Sequence, residues 1–199
     1  MRVIVTGGSG YIGSQLINML RHRGFDVVFL QHSRDIDSSY FEYLLKTMKQ
    51  NDVIVHCAGR AHLRGQKAKC YMNYYQDNCQ LTDQIANAAR VTKASKFINL
   101  SSCAVFGVHS SDKPISIESV CLPMDPYSQT KYVSEKLVEN HFHESCVEYT
   151  SVRPPIVYGQ NAPGITSTII KLNKLPLPIK ILDSNNRSAV HIETLLKNI

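Results

Sequence analysis

The chain alternates short apolar runs with longer stretches in which apolar residues recur every three or four positions. The short runs are rich in β-branched residues and favour buried strands, whereas the recurring spacing is typical of amphipathic helices. The predicted strands are 3–5, 25–30, 52–59, 96–102 and 147–152, and the predicted helices are 12–24, 38–50, 70–91 and 125–143. Strands that alternate with helices predict an α/β protein with a parallel sheet.

Two parts of this pattern leave the architecture open. Only about twenty residues separate Leu30 from the third strand, which leaves little room for another strand and its crossover. Either the intervening unit is abbreviated or the strand count is wrong by one. Near the end, 164–173 favours a short helix and 179–182 a short strand. Residues 187–199 end within a helical pattern without a stop signal, so we expect a cut chain.

The composition is that of an ordinary globular protein. The 199 residues are 43% hydrophobic and 19% charged, and they contain no uninterrupted membrane-spanning run. Met1 leads directly into the first strand without a secretory signal, so we expect a cytoplasmic protein that binds no membrane. The net charge is +6, but Lys and Arg occur singly, which argues against nucleic acid and suits small anionic ligands. The six cysteines form no C-x-x-C pair, so we expect neither disulfides nor a metal site.

A glycine-rich turn joins the first predicted strand to the first predicted helix. Gly8, Gly10 and Gly13 have the spacing G-x-G-x-x-G, which lets the backbone turn tightly and approach a pyrophosphate closely. The helix that follows presents free N–H groups and a positive dipole end to the phosphates. A position between a buried strand and a helix is the context in which this pattern binds dinucleotides.

The end of the second strand bears on the choice of dinucleotide. An acidic residue here would hold the adenosine ribose of NAD, whereas Arg suits the 2′-phosphate of NADP. The strand ends in Gln31 and Arg34 follows, so we prefer NADP slightly over NAD. Asp35 or Asp37 could still serve the ribose.

Several polar groups fall where a parallel sheet would present them to a ligand. Ser102 follows the fourth strand, and ligands of open parallel sheets bind beyond the strand ends. The third strand runs into the small-residue turn 57–59, against which a flat ligand could lie. Tyr127 and Lys131 stand one turn apart at the start of a helix that Asp125 caps, so they share a face.

Taken in order, these motifs resemble the extended short-chain dehydrogenase/reductases, specifically the NAD-dependent epimerase/dehydratase family. The resemblance rests on Thr6-Gly-Gly-Ser-Gly-Tyr-Ile-Gly13, His56-Cys-Ala-Gly59, Ser102 and Tyr127-x-x-x-Lys131. It implies a Rossmann-type, doubly wound parallel sheet with helices on both faces. It further implies an NAD(P)-binding domain at 1–160, the start of a truncated substrate-binding region at 161–199, and a C-terminal substrate domain that is largely missing.

The resemblance also implies roles for individual residues. Ser102, Tyr127 and Lys131 would be the catalytic set, with the phenol as base, the ammonium as a source of positive charge and the hydroxyl holding the reacting oxygen. Asn78 matches the helix asparagine that supports the site. The residues expected to bind the dinucleotide are Gly7, Gly8, Gly10, Tyr11, Ile12, Gly13, Gln31, Arg34, Asp35, Ile36, Cys57, Ala58, Gly59, Asn78, Tyr127, Lys131 and Pro154.

The resemblance points to a nucleotide sugar, such as a UDP-sugar, and leaves the reaction open. The family's 4,6-dehydratases carry an Asp-Glu pair where this chain has Cys103 and Ala104, so elimination of water is disfavoured. A 4-epimerase of UDP-hexoses or UDP-N-acetylhexosamines, or a nucleotide 4-keto-sugar reductase, needs only the Ser-Tyr-Lys set. A catalytically silent NAD(P)-binding sensor or scaffold is a third alternative, because complete members continue for roughly another domain's length. Members of the family often pair as homodimers through helices matching 71–91 and 127–143.

Overall fold

Five parallel strands form the centre of the fold. The computed structural model describes residues 1–31, 37–61, 63, 65–108, 114–164, 167–168 and 187–199. The strands are β1 (Arg2–Thr6), β2 (Asp26–Leu30), β3 (Val53–His56), β4 (Lys96–Leu100) and β5 (Glu148–Val152). Their spatial order is β2-β1-β3-β4-β5. The direction of winding therefore reverses between β1 and β3, which is where open parallel sheets bind their ligands.

Helices cover both faces of this sheet, as the sequence predicts. The helices are α1 (Tyr11–His22), α2 (Ser38–Thr47), α3 (Met72–Tyr75), α4 (Leu81–Val91), α5 (Pro126–Phe142) and α6 (Ile192–Lys197). In β1, Ile4 faces the apolar cluster formed with α2, α4 and α5, whereas Val3 and Val5 face the cluster formed with α1 and α6. This alternation follows from the two-residue period of a strand and gives a Rossmann-type, doubly wound fold. Within the described residues, no helix is long and apolar enough to cross a bilayer.

The interval between β2 and β3 resolves the question of the strand count. β3 pairs directly with β1, in register from Val3 with Val53 to Thr6 with His56. In the described part of this interval, α2 is the connecting element. The intervening unit is therefore abbreviated, and the predicted number of main-sheet strands is correct.

The predicted helix 70–91 has the expected extent but not the expected regularity. α3 is followed without a break by a π-helical turn, Gln76–Gln80, and then by α4. The π turn carries Asn78, which is completely buried. Apolar spacing did not reveal this turn, because one widened turn shifts the apolar stripe too little to break the pattern. Such turns are frequent at functional sites.

The chain leaves the main sheet after β5, at the predicted pair of prolines. It then forms β6 (Ile156–Tyr158), which pairs in parallel with β7 (Ala189–His191) in a second, two-stranded sheet. The sequence reading missed this pair because both strands are only three residues long and lie far apart in sequence. The helical pattern within 187–199 is confirmed for α6. The predictions at 164–173 and 179–182 lie almost entirely outside the described residues.

Candidate active site

The glycine loop packs against the turn that follows β3. Gly7 has a φ of +68°, and a Cβ atom there would lie 2.5 Å from the backbone nitrogen of Ala58. A Cβ on Gly13 would collide with the carbonyl oxygen of Gly7, which α1 approaches closely. Only glycine fits at both positions, so the loop and the turn 57–59 form one continuous edge of the site.

The amino terminus of α1 is open to an anion. Gly10 is its N-cap, and within the described residues no side chain caps it. At the start of α5, by contrast, the Asp125 carboxylate accepts from the backbone N–H of Ser128. The Ser128 hydroxyl in turn accepts from the backbone N–H of Asp125. Uncapped N–H groups at a positive dipole end suit a pyrophosphate. These features fit a dinucleotide, and the individual contacts assigned to the loop remain predictions.

Asn78 joins the π turn to the turn after β3 and to α5. Its Oδ1 accepts from the backbone N–H of Arg60 at 2.6 Å, and its Nδ2 donates to the carbonyl of Arg60 at 3.1 Å. The same Nδ2 lies 3.0 Å from Oγ1 of Thr130. Because every polar atom of this amide is used within the protein, its geometry suits the predicted role as a support.

A buried histidine, the first residue of the motif at 56–59, connects the same π turn to the sheet, a contact that the sequence did not reveal. Nδ1 of His56 lies 2.8 Å from Oγ1 of Thr6, and its Nε2 lies 2.9 Å from Oγ1 of Thr82. The Thr82 hydroxyl donates in turn to the carbonyl oxygen of Asn78 at 2.8 Å. The sequence placed this histidine in the motif at 56–59 at the end of a buried strand, but its partners Thr6 and Thr82 could not be predicted.

Ser102 and Tyr127 meet at the carboxyl end of β4. Ser102 caps a short 3₁₀ turn, Cys103–Phe106, and its hydroxyl faces the phenol of Tyr127. Burial raises the pKa of Tyr127 above 10, and the neighbouring Ser102 hydroxyl partly opposes this rise. The phenol is therefore protonated at neutral pH, and it needs a nearby positive charge before it can act as a base.

Lys131 extends from α5 toward the turn after β3. Its side chain is buried, and its Nζ lies 3.6 Å from the position that a Cβ on Gly59 would take. Burial lowers the pKa of Lys131 from 10.5 to about 8, against the opposing effects of Glu135, Cys57 and Cys79. The fold thus places this ammonium beside the small-residue turn, one helical turn from Tyr127.

The other predicted cofactor residues lie in different surroundings. Pro154 lies beside the turn Cys103–Phe106, because its carbonyl accepts from the N–H of Cys103 at 3.0 Å. Ile12 packs in the apolar cluster of α1 and α6, so its backbone rather than its side chain faces the loop. The hydroxyl of Tyr11 is buried, without a hydrogen-bond partner in the described residues, against Gly159. The assignments that lie outside the described residues are Arg34, Asp35 and Ile36.

Gln31, the first residue after β2, has its backbone carbonyl hydrogen-bonded and its side chain exposed. The carbonyl of Gln31 accepts from the Tyr40 hydroxyl at 3.4 Å, and its side chain is exposed just beyond β2. Among the described residues, no group of three or more His, Cys, Asp or Glu side chains lies together. The six cysteines are free.

The winding of the sheet, the glycine loop and the helices on both faces define a Rossmann-type fold of the kind that binds dinucleotides. The chain matches the NAD dependent epimerase/dehydratase family over residues 3–195, and it belongs to that family. This confirms the resemblance that the sequence motifs indicate.

Relatives and solved structures agree with this membership. A UDP-glucose 4-epimerase of Vibrio cholerae is 29% identical over 98% of this chain and 64% of its own length. A human dTDP-D-glucose 4,6-dehydratase is 24% identical over 96% of this chain and 59% of its own length. MoeE5 in complex with UDP-glucose and NAD superposes with a TM-score of 0.82 at 22% identity, covering 99% of this chain and 70% of that one. The chain thus spans about three fifths of the curated relatives' length.

Proposed function

We propose that this chain is the NAD(P)-binding part of a nucleotide-sugar 4-epimerase acting on UDP-hexoses or UDP-N-acetylhexosamines. The observation that carries the proposal is the cluster of Ser102, Tyr127 and Lys131 at the edge formed by the glycine loop and the turn 57–59. The Vibrio relative is named as a UDP-glucose 4-epimerase, and MoeE5 is described with UDP-glucose and NAD, which supports the same substrate class.

The proposed chemistry begins with removal of a proton from a sugar hydroxyl. Such a hydroxyl has a pKa far above neutrality, so a positioned base must take its proton as hydride leaves the same carbon. Tyr127 would take the proton, and the neighbouring Ser102 would hold the reacting oxygen. A bound oxidised dinucleotide would supply the hydride acceptor and a positive charge beside the phenol. Return of hydride to the opposite face of the sugar would complete the epimerisation.

Lys131 would favour the phenolate form of Tyr127. With a pKa of about 8, the ammonium is mostly charged at neutral pH despite its burial. A cation one helical turn from the phenol lowers the cost of removing the phenolic proton. Because its Nζ lies near Gly59, Lys131 would also face a flat ligand that lies against the turn after β3.

Epimerisation is favoured over dehydration by the residues that follow Ser102. Elimination of water needs an acid and a base beside the sugar, and this chain offers Cys103 and Ala104. Burial raises the pKa of the Cys103 thiol, so it stays protonated and is a poor base. Although one relative is named as a dehydratase, this chain lacks the carboxylate pair for that reaction.

Two alternatives remain because the Ser-Tyr-Lys set would serve them as well. A nucleotide 4-keto-sugar reductase would carry out only the second half of the epimerase reaction. A catalytically silent NAD(P)-binding sensor would keep the loop and lack turnover.

The dinucleotide is proposed to be NAD or NADP, with a slight preference for NADP from the neutral Gln31 and the nearby Arg34. Arg34→Ala should weaken binding of NADP much more than binding of NAD. Isothermal titration calorimetry with both dinucleotides measures this, and equal losses would refute a 2′-phosphate contact.

The domain division and the oligomeric state are also proposals. We place the NAD(P)-binding domain at 1–160 and the start of a substrate-binding region at 161–199. We also propose a homodimer that pairs through the helices within 71–91 and 127–143. Analytical ultracentrifugation tests the dimer.

The function is tested by incubating the chain with NAD and either UDP-glucose or UDP-N-acetylglucosamine and separating the products. Appearance of the corresponding UDP-galactose or UDP-N-acetylgalactosamine supports the epimerase. An analogous assay with a nucleotide 4-keto-sugar and NADPH identifies a reductase. Tight dinucleotide binding without any product in either assay supports the sensor.

A further inference from the structure

A buried ion pair lies one helical turn beyond Lys131 and is not part of the Ser-Tyr-Lys set. The guanidinium of Arg153 donates to both carboxylate oxygens of Glu135, at 3.0 Å from Nε and 2.6 Å from Nη2. The Glu135 side chain is 6% exposed and that of Arg153 is 25% exposed. A two-bond pair of this kind fixes orientation as well as distance.

The pair connects the three elements that carry the candidate active site. Glu135 is on α5, one turn from Lys131, and Arg153 lies between β5 and Pro154. The Arg153 guanidinium stacks on the ring of Phe106, 4.9 Å from its centre, in the 3₁₀ turn that Ser102 begins. Arg153 therefore contacts the helix of Tyr127 and the turn of Ser102 at the same time.

The charges around Lys131 make Glu135 its principal anionic neighbour. The titratable groups that face Lys131 are Glu135 on its own helix, Cys57 after β3 and Cys79 in the π turn. Burial raises the pKa of Cys57 to about 12 and that of Cys79 to about 11, so both thiols are neutral at neutral pH. The carboxylate that Lys131 faces is therefore one that Arg153 already holds in place.

We propose that Arg153 and Glu135 are positioning residues that hold α5 against the Ser102 turn and set how much negative charge Lys131 experiences. This inference rests on the proposed function, because it gives the pair a role toward a catalytic lysine. Arg153 holds the Glu135 carboxylate in position, and it also offsets part of the negative charge that Lys131 would otherwise experience. Removing Glu135 should therefore lower the pKa of Lys131, whereas removing Arg153 should raise it.

The test follows the ionisation of Lys131 in the full chain by NMR, with ¹³C at the lysine Cε positions. The Lys131 resonance is identified by its loss in Lys131→Arg. In Glu135→Gln, Lys131 should titrate at a lower pH than in the wild type, because its anionic neighbour is gone. In Arg153→Met, it should titrate at a higher pH, because the freed carboxylate then faces Lys131 alone.

The control is a second buried ion pair at the opposite end of the sheet. Arg2 pairs with Asp52 at 2.7 Å, and the Asp52 side chain is 3% exposed. Asp52→Asn should destabilise the fold without moving the Lys131 titration. Arg153→Lys, which keeps the charge but loses the two-bond geometry, provides the measurement if Arg153→Met does not fold, and it should shift the titration in the same upward direction by less.

Opposite shifts in the two variants, with none in the control, support the proposal. Shifts in the same direction, no shift in either, or an equal shift in Asp52→Asn would overturn it. The titration is read without turnover, so it stands or fails separately from the sugar chemistry. If the chain turns over a UDP-sugar, the pH profile of turnover should shift in the same direction as Lys131 in each variant.

Discussion

The two halves of the candidate active site are built from different parts of the chain. The glycine loop between β1 and α1 works through backbone: glycines let it touch the turn after β3 and leave the N–H groups of α1 uncapped. The region around α5 works through side chains, with a buried Lys131 and a half-buried Tyr127. Under the proposed function, the loop stabilises the fold and binds the dinucleotide, whereas the α5 side chains act on the substrate at a cost in stability. Substitutions on α5 should therefore change activity with little loss of stability, whereas substitutions in the loop should change both.

We expect Tyr127→Phe to separate activity from stability more than any other substitution. The substitution removes only the hydroxyl, so the proposed turnover of a UDP-sugar should fall by about 10³-fold, as expected when a general base is lost. Dinucleotide affinity and the free energy of unfolding should change little. Tyr132→Phe, on the same helix, is the matched control and should leave turnover intact. Retained activity in Tyr127→Phe would remove this phenol from the mechanism.

The loop should show the opposite behaviour in Gly7→Ala. A methyl group at a φ of +68° would also lie 2.5 Å from the Ala58 nitrogen, so unfolding should become easier by about 3 kcal/mol. Dinucleotide binding should be lost with it. Gly24 has a φ of +80° but no neighbour within 4 Å, so Gly24→Ala should cost only about 1 kcal/mol and keep binding. Chemical denaturation and calorimetry measure both, and equal costs would contradict the packing argument.

The cost of burying Lys131 should appear in the pH dependence of stability. Its folded-state pKa of about 8 lies below the 10.5 of an unperturbed lysine, so between these values the unfolded chain binds the extra proton. Stability therefore rises with pH in this window. Relative to Lys131→Met, the wild type should gain about 2 kcal/mol between pH 8 and pH 10. Denaturation curves at several pH values provide the test, and parallel pH profiles for the two proteins would contradict it.

The smallest effect should come from Asn78→Ala, where the two regions meet. The variant leaves the N–H and carbonyl of Arg60 without the amide, so stability should fall by about 1.5 kcal/mol. The half-buried Asn87, whose Oδ1 accepts from Arg90 on its own helix, is the control. Asn87→Ala should change stability by less than about 0.5 kcal/mol. Similar losses in the two variants would mean that the buried amide contributes no more than a surface one.

The same contrast explains which features the sequence revealed. The glycine loop, the main-sheet strands and the start of α5 were predictable, because strand periods, glycine spacing and an Asp-Pro cap are local signals. Ser102, Tyr127 and Lys131 were recognised through a resemblance between motifs. Ser102 follows β4 and Lys131 reaches the turn after the neighbouring β3, because parallel strands end at the same edge of the sheet.

What sequence reasoning missed depends on tertiary contacts. The π turn at Asn78 is held by Arg60, in the turn after β3, and by Thr130 on α5, and nothing in its local spacing marks it. The contacts of His56 and the Arg153–Glu135 pair join residues that are distant in sequence, so no local pattern shows them. The pairing of β6 with β7 likewise connects segments that no local pattern relates.

The central claim is that Ser102, Tyr127 and Lys131 act together on a nucleotide sugar beside a dinucleotide held by the glycine loop. The most direct test mixes the chain with NAD and UDP-glucose deuterated at C4, separates the sugar nucleotides after the reaction and analyses each by mass spectrometry. We expect the wild type to form UDP-galactose that keeps its deuterium, because the nicotinamide would return it to the same carbon, and Tyr127→Phe to form none at equal dinucleotide occupancy. Absence of UDP-galactose in the wild type, or UDP-galactose that has lost its deuterium, would contradict the account.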